Sequence, residues 1–350
     1  MSFLSKLWNY IKTLSLVAAL IAAIITGGWV AYSYDSSKKP PVAAKQLIVE
    51  GDNALNIGRY ADAKRIFEEE LKANPQNKQA AWYLQIADIP QTLSKPEFKE
   101  AIDILYQQNP NDSHVNLFLG EYYAANDQPD KAVPYFEQAI TQNPKLAEAH
   151  YDLARLYDQS GNYEDAKVES LNAIDSSPTP KYRNNLGNIY FKQLHYEEAI
   201  KEYGKNKEYP LSALESAKIY WRLEYLSQAI SYQNQAIDWL NDKTIMTKPE
   251  NEDTWDFEAA SAKRLKLVTL EEKKSYAYYC LSVSLYLQGD SEGAEKTLQK
   301  LRDLNFDHPV TIDELLAADL DALIEANADF AEPVAAYKAL YLKNSPTDIP

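Results

Sequence analysis

One recurrent spacing constrains this chain more than any other feature. Gly51 and Ala63, Gly120 and Ala132, Ala154 and Ala166, Gly187 and Ala199, Ala217 and Ala229, and Ser282 and Ala294 are each 12 residues apart. From Gly120 onward the first members of the pairs follow at intervals of 34, 33 and 30 residues, and the partner alanines keep step. A fixed period of this length is the signature of a stack of small structural units, each burying its core against its neighbours.

Other positions hold the same register. Tyr123, Tyr157, Tyr190 and Tyr220 stand three residues after the small residue, with Ala54 and Leu285 as departures. Phe67, Phe136, Tyr203 and Leu298 stand four after the partner alanine, with departures at Ser170 and Gln233, and Ala139, Ala173 and Ala236 stand seven after it. Pro75, Pro144 and Pro178 close three units and Pro210 a fourth, as expected where a second helix must stop. Gly58-Arg59-Tyr60, Asn126 to Pro129, Gly161-Asn162-Tyr163 and Gly289-Asp290-Ser291 read as turns between paired helices. Two helices cross closely only where the side chain at the contact is small, and the aromatic residues fill the space beside it.

Together these residues resemble the tetratricopeptide-repeat family over residues 44 to 308. The resemblance implies an all-α, right-handed α-solenoid of about seven helix pairs that binds a protein or peptide in its concave groove. Units 1–6 are expected over 44–242, with a degenerate repeat at 78–112 whose inter-helix segment, Ile89-Pro90 to Pro96, is long. Unit 7 is expected over 274–308. An excess of 31 residues falls at 243–273, where Thr254-Trp255-Asp256-Phe257 is expected to open an extra helix through Leu270, either functional or a passive spacer. Residues 309–350 are expected to form capping helices, near Ile312–Ala326 and Pro333–Leu342, that cover the last apolar face.

The N-terminus follows different rules. Residues 14–32 carry no charge over 19 positions, enough at about 1.5 Å per residue to cross a hydrocarbon core. Trp8 and Tyr10 on one side, and Trp29, Tyr32 and Tyr34 on the other, suit the two interfaces. We expect a short tail at 1–12, a transmembrane signal anchor at 13–33 and a linker at 34–43. The alternative is a cleaved secretory signal ending near Ala31-Tyr32-Ser33, although the apolar run is long for a signal core. Lys6 and Lys12 are matched by Lys38, Lys39 and Lys45, so the flanking charges come close to a tie. A short Lys-bearing N-terminus resembles a bacterial signal anchor, which places the repeats in the periplasm; a cytoplasmic face is the alternative.

Charge and chemistry narrow the function. Net charge is −15 overall, and beyond Lys45 the 31 basic and 50 acidic residues leave −19, a field that repels phosphate backbones. The single cysteine, Cys280, permits neither an internal disulfide nor a Cys-based metal site. His114, His150, His195 and His308 follow no ligand spacing, and His150 occupies a position where this family often packs Trp. Ten glycines support no phosphate loop or nucleophile elbow. No catalytic residue, metal or cofactor is expected, and chemistry within the insertion or the C-terminal segment is the least favoured reading.

The resemblance places Tyr151, Arg155 and Asp158, then Asn184, Asn188 and Lys192, then Lys218, Trp221 and Arg222 on the groove face of consecutive units. This locally basic, amide-rich stretch can grip a peptide main chain or carboxylate. Only part of the Lys/Asn set that clamps a C-terminal carboxylate in some family members is present, so a general peptide or protein groove is the leading expectation. Tyr276, Tyr279 and Tyr286, with Trp255 and Phe257, form a second aromatic concentration, mostly core, whose exposed remainder would anchor a partner. The expected role is a membrane-anchored scaffold or adaptor. A chaperone-like holder of exported clients is the alternative.

Overall fold

The computed structural model describes residues 44–89, 96–248, 251, 255–258, 264–267, 269–304 and 310–343. The apolar segment at 14–32, with the tail and linker flanking it, lies outside the described residues. Among the described residues no helix is long and apolar enough to cross a membrane.

The first compact unit runs to Ala54 and includes Tyr60–Ala87. It holds α1 (Ala44–Asn56) up to Ala54, α2 (Tyr60–Ala73) and α3 (Lys78–Ala87). Phe67 is fully buried here, and a Cβ on Gly51 would come within 2.4 Å of its ring. The absent side chain is what lets α1 and α2 close on each other.

The second unit comprises Leu55–Arg59 and the chain from Asp88. Its helices are α4 (Pro96–Gln108), α5 (Ser113–Ala125), α6 (Pro129–Gln142), α7 (Ala147–Gln159), α8 (Tyr163–Ser176), α9 (Pro180–Lys192), α10 (Tyr196–Gly204), α11 (Pro210–Arg222) and α12 (Leu226–Asn241). After a short α13 (Lys243–Met246) and two strands come α14 (Leu270–Leu287), α15 (Ser291–Asp303), α16 (Val310–Ala326) and α17 (Ala331–Lys343). The pairs α5–α6, α7–α8, α9–α10, α11–α12 and α14–α15 form helical hairpins, and each first helix also packs on the second helix before it. The degenerate repeat expected at 78–112 is divided, α3 belonging to the first unit and α4 to the second.

The paired residues explain both the repeat and its departures. A Cβ on Gly120 would lie 2.5 Å from Phe136, and one on Gly187 would lie 2.3 Å from Tyr203. Where the aromatic is replaced, at Ser170 and Gln233, the partner is Ala154 or Ala217 instead of glycine. Ring and methyl group compete for the same volume, so the two positions change together. Seven residues after each small residue the backbone turns through positive φ, at Gly58, Asp127, Gly161, Leu194, Glu224 and Gly289. At 62°, Leu194 and Glu224 adopt a conformation that costs an L-residue about 1–2 kcal/mol.

The insertion departs from expectation. In place of a helix from Thr254 to Leu270, Trp255–Glu258 (β1) pairs antiparallel with Arg264–Leu267 (β2). Its register sets Trp255 opposite Leu267, Asp256 opposite Lys266, Phe257 opposite Leu265 and Glu258 opposite Arg264. Both segments alternate apolar and charged residues with a period of two, which suits a strand and cannot build one apolar helix face. Thr269 then caps α14, accepting from the Glu272 amide while the Glu272 carboxylate accepts from its own. Since α14 stacks directly on α12, the insertion is looped out of the helix stack.

The two C-terminal helices lie close to the expected ranges, at Val310–Ala326 and Ala331–Lys343. They pack on α14, α11 and β2, and the cluster they join also takes in Leu298 and Leu301 of α15. Leu320, Leu323, Val334, Tyr337 and Tyr341 are buried in one cluster with Trp221, Tyr276, Tyr279 and Leu281.

Candidate partner-binding surface

The nine residues expected to line a groove fall on α7, α9 and α11, the first helices of three successive pairs. Tyr151 packs on Tyr182 with ring centroids 5.3 Å apart, and Lys181 Nζ lies 4.4 Å from the Tyr151 ring centroid. Arg155 reaches Asp152 Oδ1 at 3.3 Å. Lys192 donates to Asp158 Oδ2 at 2.7 Å. Arg222 lies over the Phe191 ring at 4.7 Å.

Two of the nine are committed to packing. Asn184 is buried, and its Oδ1 accepts from Ser212 Oγ at 2.9 Å, which in turn accepts from Asn206 Nδ2. That chain of hydrogen bonds joins α9 to α11 and satisfies the amide oxygen internally. Trp221 is also buried, its indole N–H donating to Ser284 Oγ. Lys218 is nearly enclosed, within 3.4 Å of Glu215 Oε1 and of Asp319 Oδ1 on α16. Arg155, Asn188 and Arg222 are half-buried and Lys192 exposed.

The expectation of a basic stretch is corrected by residues that the sequence reading passed over. Lys181 donates to Glu148 Oε1 at 2.6 Å, and Tyr182 donates to Glu148 Oε2 at 3.0 Å. Glu148 and Lys181 lie 33 residues apart, and Asp158 and Lys192 lie 34 apart. Each pair thus joins neighbouring units across one repeat period. Acid and base in equivalent turns of adjacent units was the signal available in the sequence. The surface is a ladder of compensated charges.

One rung is crowded with carboxylates. Glu121, Glu148 and Asp152 place oxygens within 4.8 Å of one another. Burial, and then the Glu148 charge, push the Asp152 carboxyl up to about 6 against the pull of Arg155 and Lys181. Burial disfavours the Lys181 ammonium, but Glu148, Tyr151 and Asp152 outweigh it and hold the pKa above the usual lysine range. Lys218 is held up in the same way by Asp319 and Glu215.

Two histidines, His114 and His150, serve packing. His150 is buried on α7, with Nδ1 2.6 Å from Glu169 Oε2 and Nε2 3.0 Å from the Pro144 carbonyl, and so fastens α7 to α8. His114 Nε2 lies 3.2 Å from Asn56 Oδ1, which also accepts from Asn143 Nδ2 at 3.0 Å. Cys280 is buried and its thiol pushed well up by burial, which leaves it unreactive.

Models of the tetratricopeptide repeat match residues 48–84, 123–184 and 213–240. The chain is similar to the TPR repeat-containing protein YpiA of Bacillus subtilis (strain 168), 24% identical over 73% of this chain and 60% of that protein. It is also similar to the Photosystem I assembly protein Ycf3 of Rippkaea orientalis (strain PCC 8801 / RF-1), 29% identical over 30% of this chain and 64% of that one. It therefore spans less than two thirds of either relative. Among solved structures it resembles the APC/C hetero-tetramer Cut9–Hcn1, with a TM-score of 0.52 and 15% identity over 87% of this chain and 53% of that one, a likeness of fold alone. The fixed spacing of small residues, the stacked helical hairpins and three separate matches identify tetratricopeptide repeats at residues 48–84, 123–184 and 213–240 of this chain.

Proposed function

We propose that the chain is a membrane-anchored scaffold whose first-helix face holds a partner protein within a membrane-associated assembly. TPR proteins bind protein or peptide partners, and the face built by α7, α9 and α11 carries the chemistry for it. The observation that carries the reading is the set Arg155, Asn188, Lys192 and Arg222, four hydrogen-bonding side chains on successive units, with the Phe191 ring beneath Arg222. Asn188 accepts from Tyr203 OH at 2.6 Å, which orients its amide NH2 to donate to a peptide carbonyl. A carboxylate clamp is disfavoured, because Lys192 and Lys218 already face acidic side chains. An incoming carboxylate would have to displace one. A neutral main chain with amide or aromatic side chains fits better.

The membrane part of the proposal rests on the 19 uncharged residues at 14–32, with the repeats on the periplasmic side. The assembly part agrees with the name of the partial relative Ycf3, an assembly protein. A photo-crosslinker at Asn188 or Lys192 in native membranes is expected to capture one dominant partner. No adduct at either position rejects the surface, and a broad set of unrelated adducts would favour a chaperone-like holder. A topology reporter fused to the C-terminus is expected to read periplasmic; a cytoplasmic signal overturns the placement and leaves the fold untouched.

A further inference from the structure

We propose that the first-helix face of α11 and α14 is a receptor for an amphipathic helix, that α16–α17 is its resident occupant, and that a partner helix with an acidic residue ahead of paired leucines displaces it. The proposal rests on the scaffold reading and adds the chemistry of the partner.

The first support is that α16–α17 leave the outer face of the last repeat helix in solvent. On α15, Ala294, Thr297, Leu298 and Leu301 are buried, while Glu292, Glu295, Lys296, Gln299, Lys300 and Asp303 are exposed. A polar outer face on the terminal helix suits the end of a repeat array. The two helices that follow turn instead to the face on which such a protein presents its binding residues.

Their contacts are those of a helix in a receptor. Asp319 accepts from Tyr276 OH at 2.7 Å and lies 3.4 Å from Lys218. Tyr337 OH and Ser282 Oγ are 2.6 Å apart, and the Tyr337 ring packs on Tyr279 and Tyr286. Leu320 and Leu323 are almost fully buried beside Asp319. Asp321 and Glu325 on α16 face solvent, opposite the buried Leu320 and Leu323, giving that helix one apolar and one polar side. An acid, a leucine directly after it and a second leucine one turn on define what the face recognises.

Departure of α16–α17 strands few polar groups. Lys218 keeps Glu215 at 3.4 Å, and Ser282 keeps its bond to the Tyr279 carbonyl at 2.7 Å. What becomes exposed is the aromatic surface of Tyr276, Tyr279 and Tyr286, the part of the second aromatic concentration that suits a partner's apolar side chains. A segment joined to its receptor by a short link competes at an effective concentration on the order of millimolar, so the face stays closed until a stronger helix arrives.

The test uses the full chain and a labelled peptide spanning Val310–Lys343. The wild-type chain is expected to bind it no tighter than roughly 100 µM, whereas the Asp319→Lys, Leu323→Asp variant binds at about 1–10 µM. Adding Lys218→Glu to that variant should weaken the wild-type peptide about tenfold, and a peptide carrying Asp319→Lys should recover the loss. Tyr337→Phe, a milder change, is expected to give intermediate binding with helix content unchanged by circular dichroism. The proposal is overturned if the opened variant keeps its helix content without binding peptide, or if wild type binds equally well. Collapse of the repeat array in both variants overturns it too, since the segment would then be core. A dimer formed by the opened variant without peptide would assign the face to a second copy of this chain and overturn the partner assignment. None of these outcomes depends on Asn188 or Lys192, so this inference and the scaffold reading fail separately.

Discussion

Lys192 on α9 donates to Asp158 on α7 at 2.7 Å, across 34 residues of sequence and one repeat of structure. The bond shows how this array couples neighbouring units at a surface where a partner is expected: the cations that seemed free are tied to the preceding unit. Because the Asp158 side chain is only 7% exposed, its removal leaves Lys192 without its nearest counter-charge, whereas removal of Lys192 leaves a buried acid. A double-mutant cycle of Asp158→Asn and Lys192→Met is expected to give a coupling energy of about 0.5–1.5 kcal/mol by denaturant unfolding. Additive single effects would show that the pair is incidental.

Glycine and aromatic ring are coupled at the helix crossings. Gly120→Ala places a methyl 2.5 Å from Phe136 and is expected to cost about 1–3 kcal/mol. Phe136→Leu in the same background should cost less than the sum of the single changes, because the smaller side chain makes room for the methyl. Ala154 beside Ser170 already follows this logic in the native chain. Unfolding midpoints of the four proteins decide the matter.

Asp152 predicts a pH dependence. Its carboxyl is raised from 3.8 to about 6 in the folded protein, so between these values the native state holds more proton than the unfolded chain. Stability contributed by this group therefore falls as pH rises from about 4 through 6 and stays low above. Asp152→Asn should remove that fall and gain on the order of 1–3 kcal/mol at pH 7 relative to pH 4, less what the lost Arg155 contact costs. Parallel urea titrations of wild type and variant at both pH values test it. An unchanged pH slope would refute the assignment.

Leu194 stands at φ 62° where other units place Gly161 or Gly289, and its side chain is 64% exposed. Leu194→Gly relieves the backbone without emptying a core, and is expected to stabilise the chain by about 0.5–1 kcal/mol. Leu194→Val, branched at Cβ, should destabilise it. A loss of partner binding in the glycine variant at unchanged fold would give the exposed leucine a second role.

The period, the helix pairs and the turns were legible because the contacts that make them are short in sequence and recur. Gly120 meets Phe136 sixteen residues on, and the next unit repeats the geometry with Gly187 and Tyr203. The hairpin at Trp255–Glu258 was legible too in its alternation, but its position within a helical chain masked the period of two. Other features could not be read that way. Lys218 meets Asp319, and Glu224 accepts from Asn327 103 residues away, through pairings that no local pattern announces. Which cations are compensated, which amides are spent on packing and which face the C-terminal helices occupy all depend on charges and apolar surfaces brought together only when the stack forms. By itself the sequence determined the repeat, since each helix crossing is a local steric rule. The tertiary structure alone decided what the binding face presents, because electrostatic pairing acts through space between units.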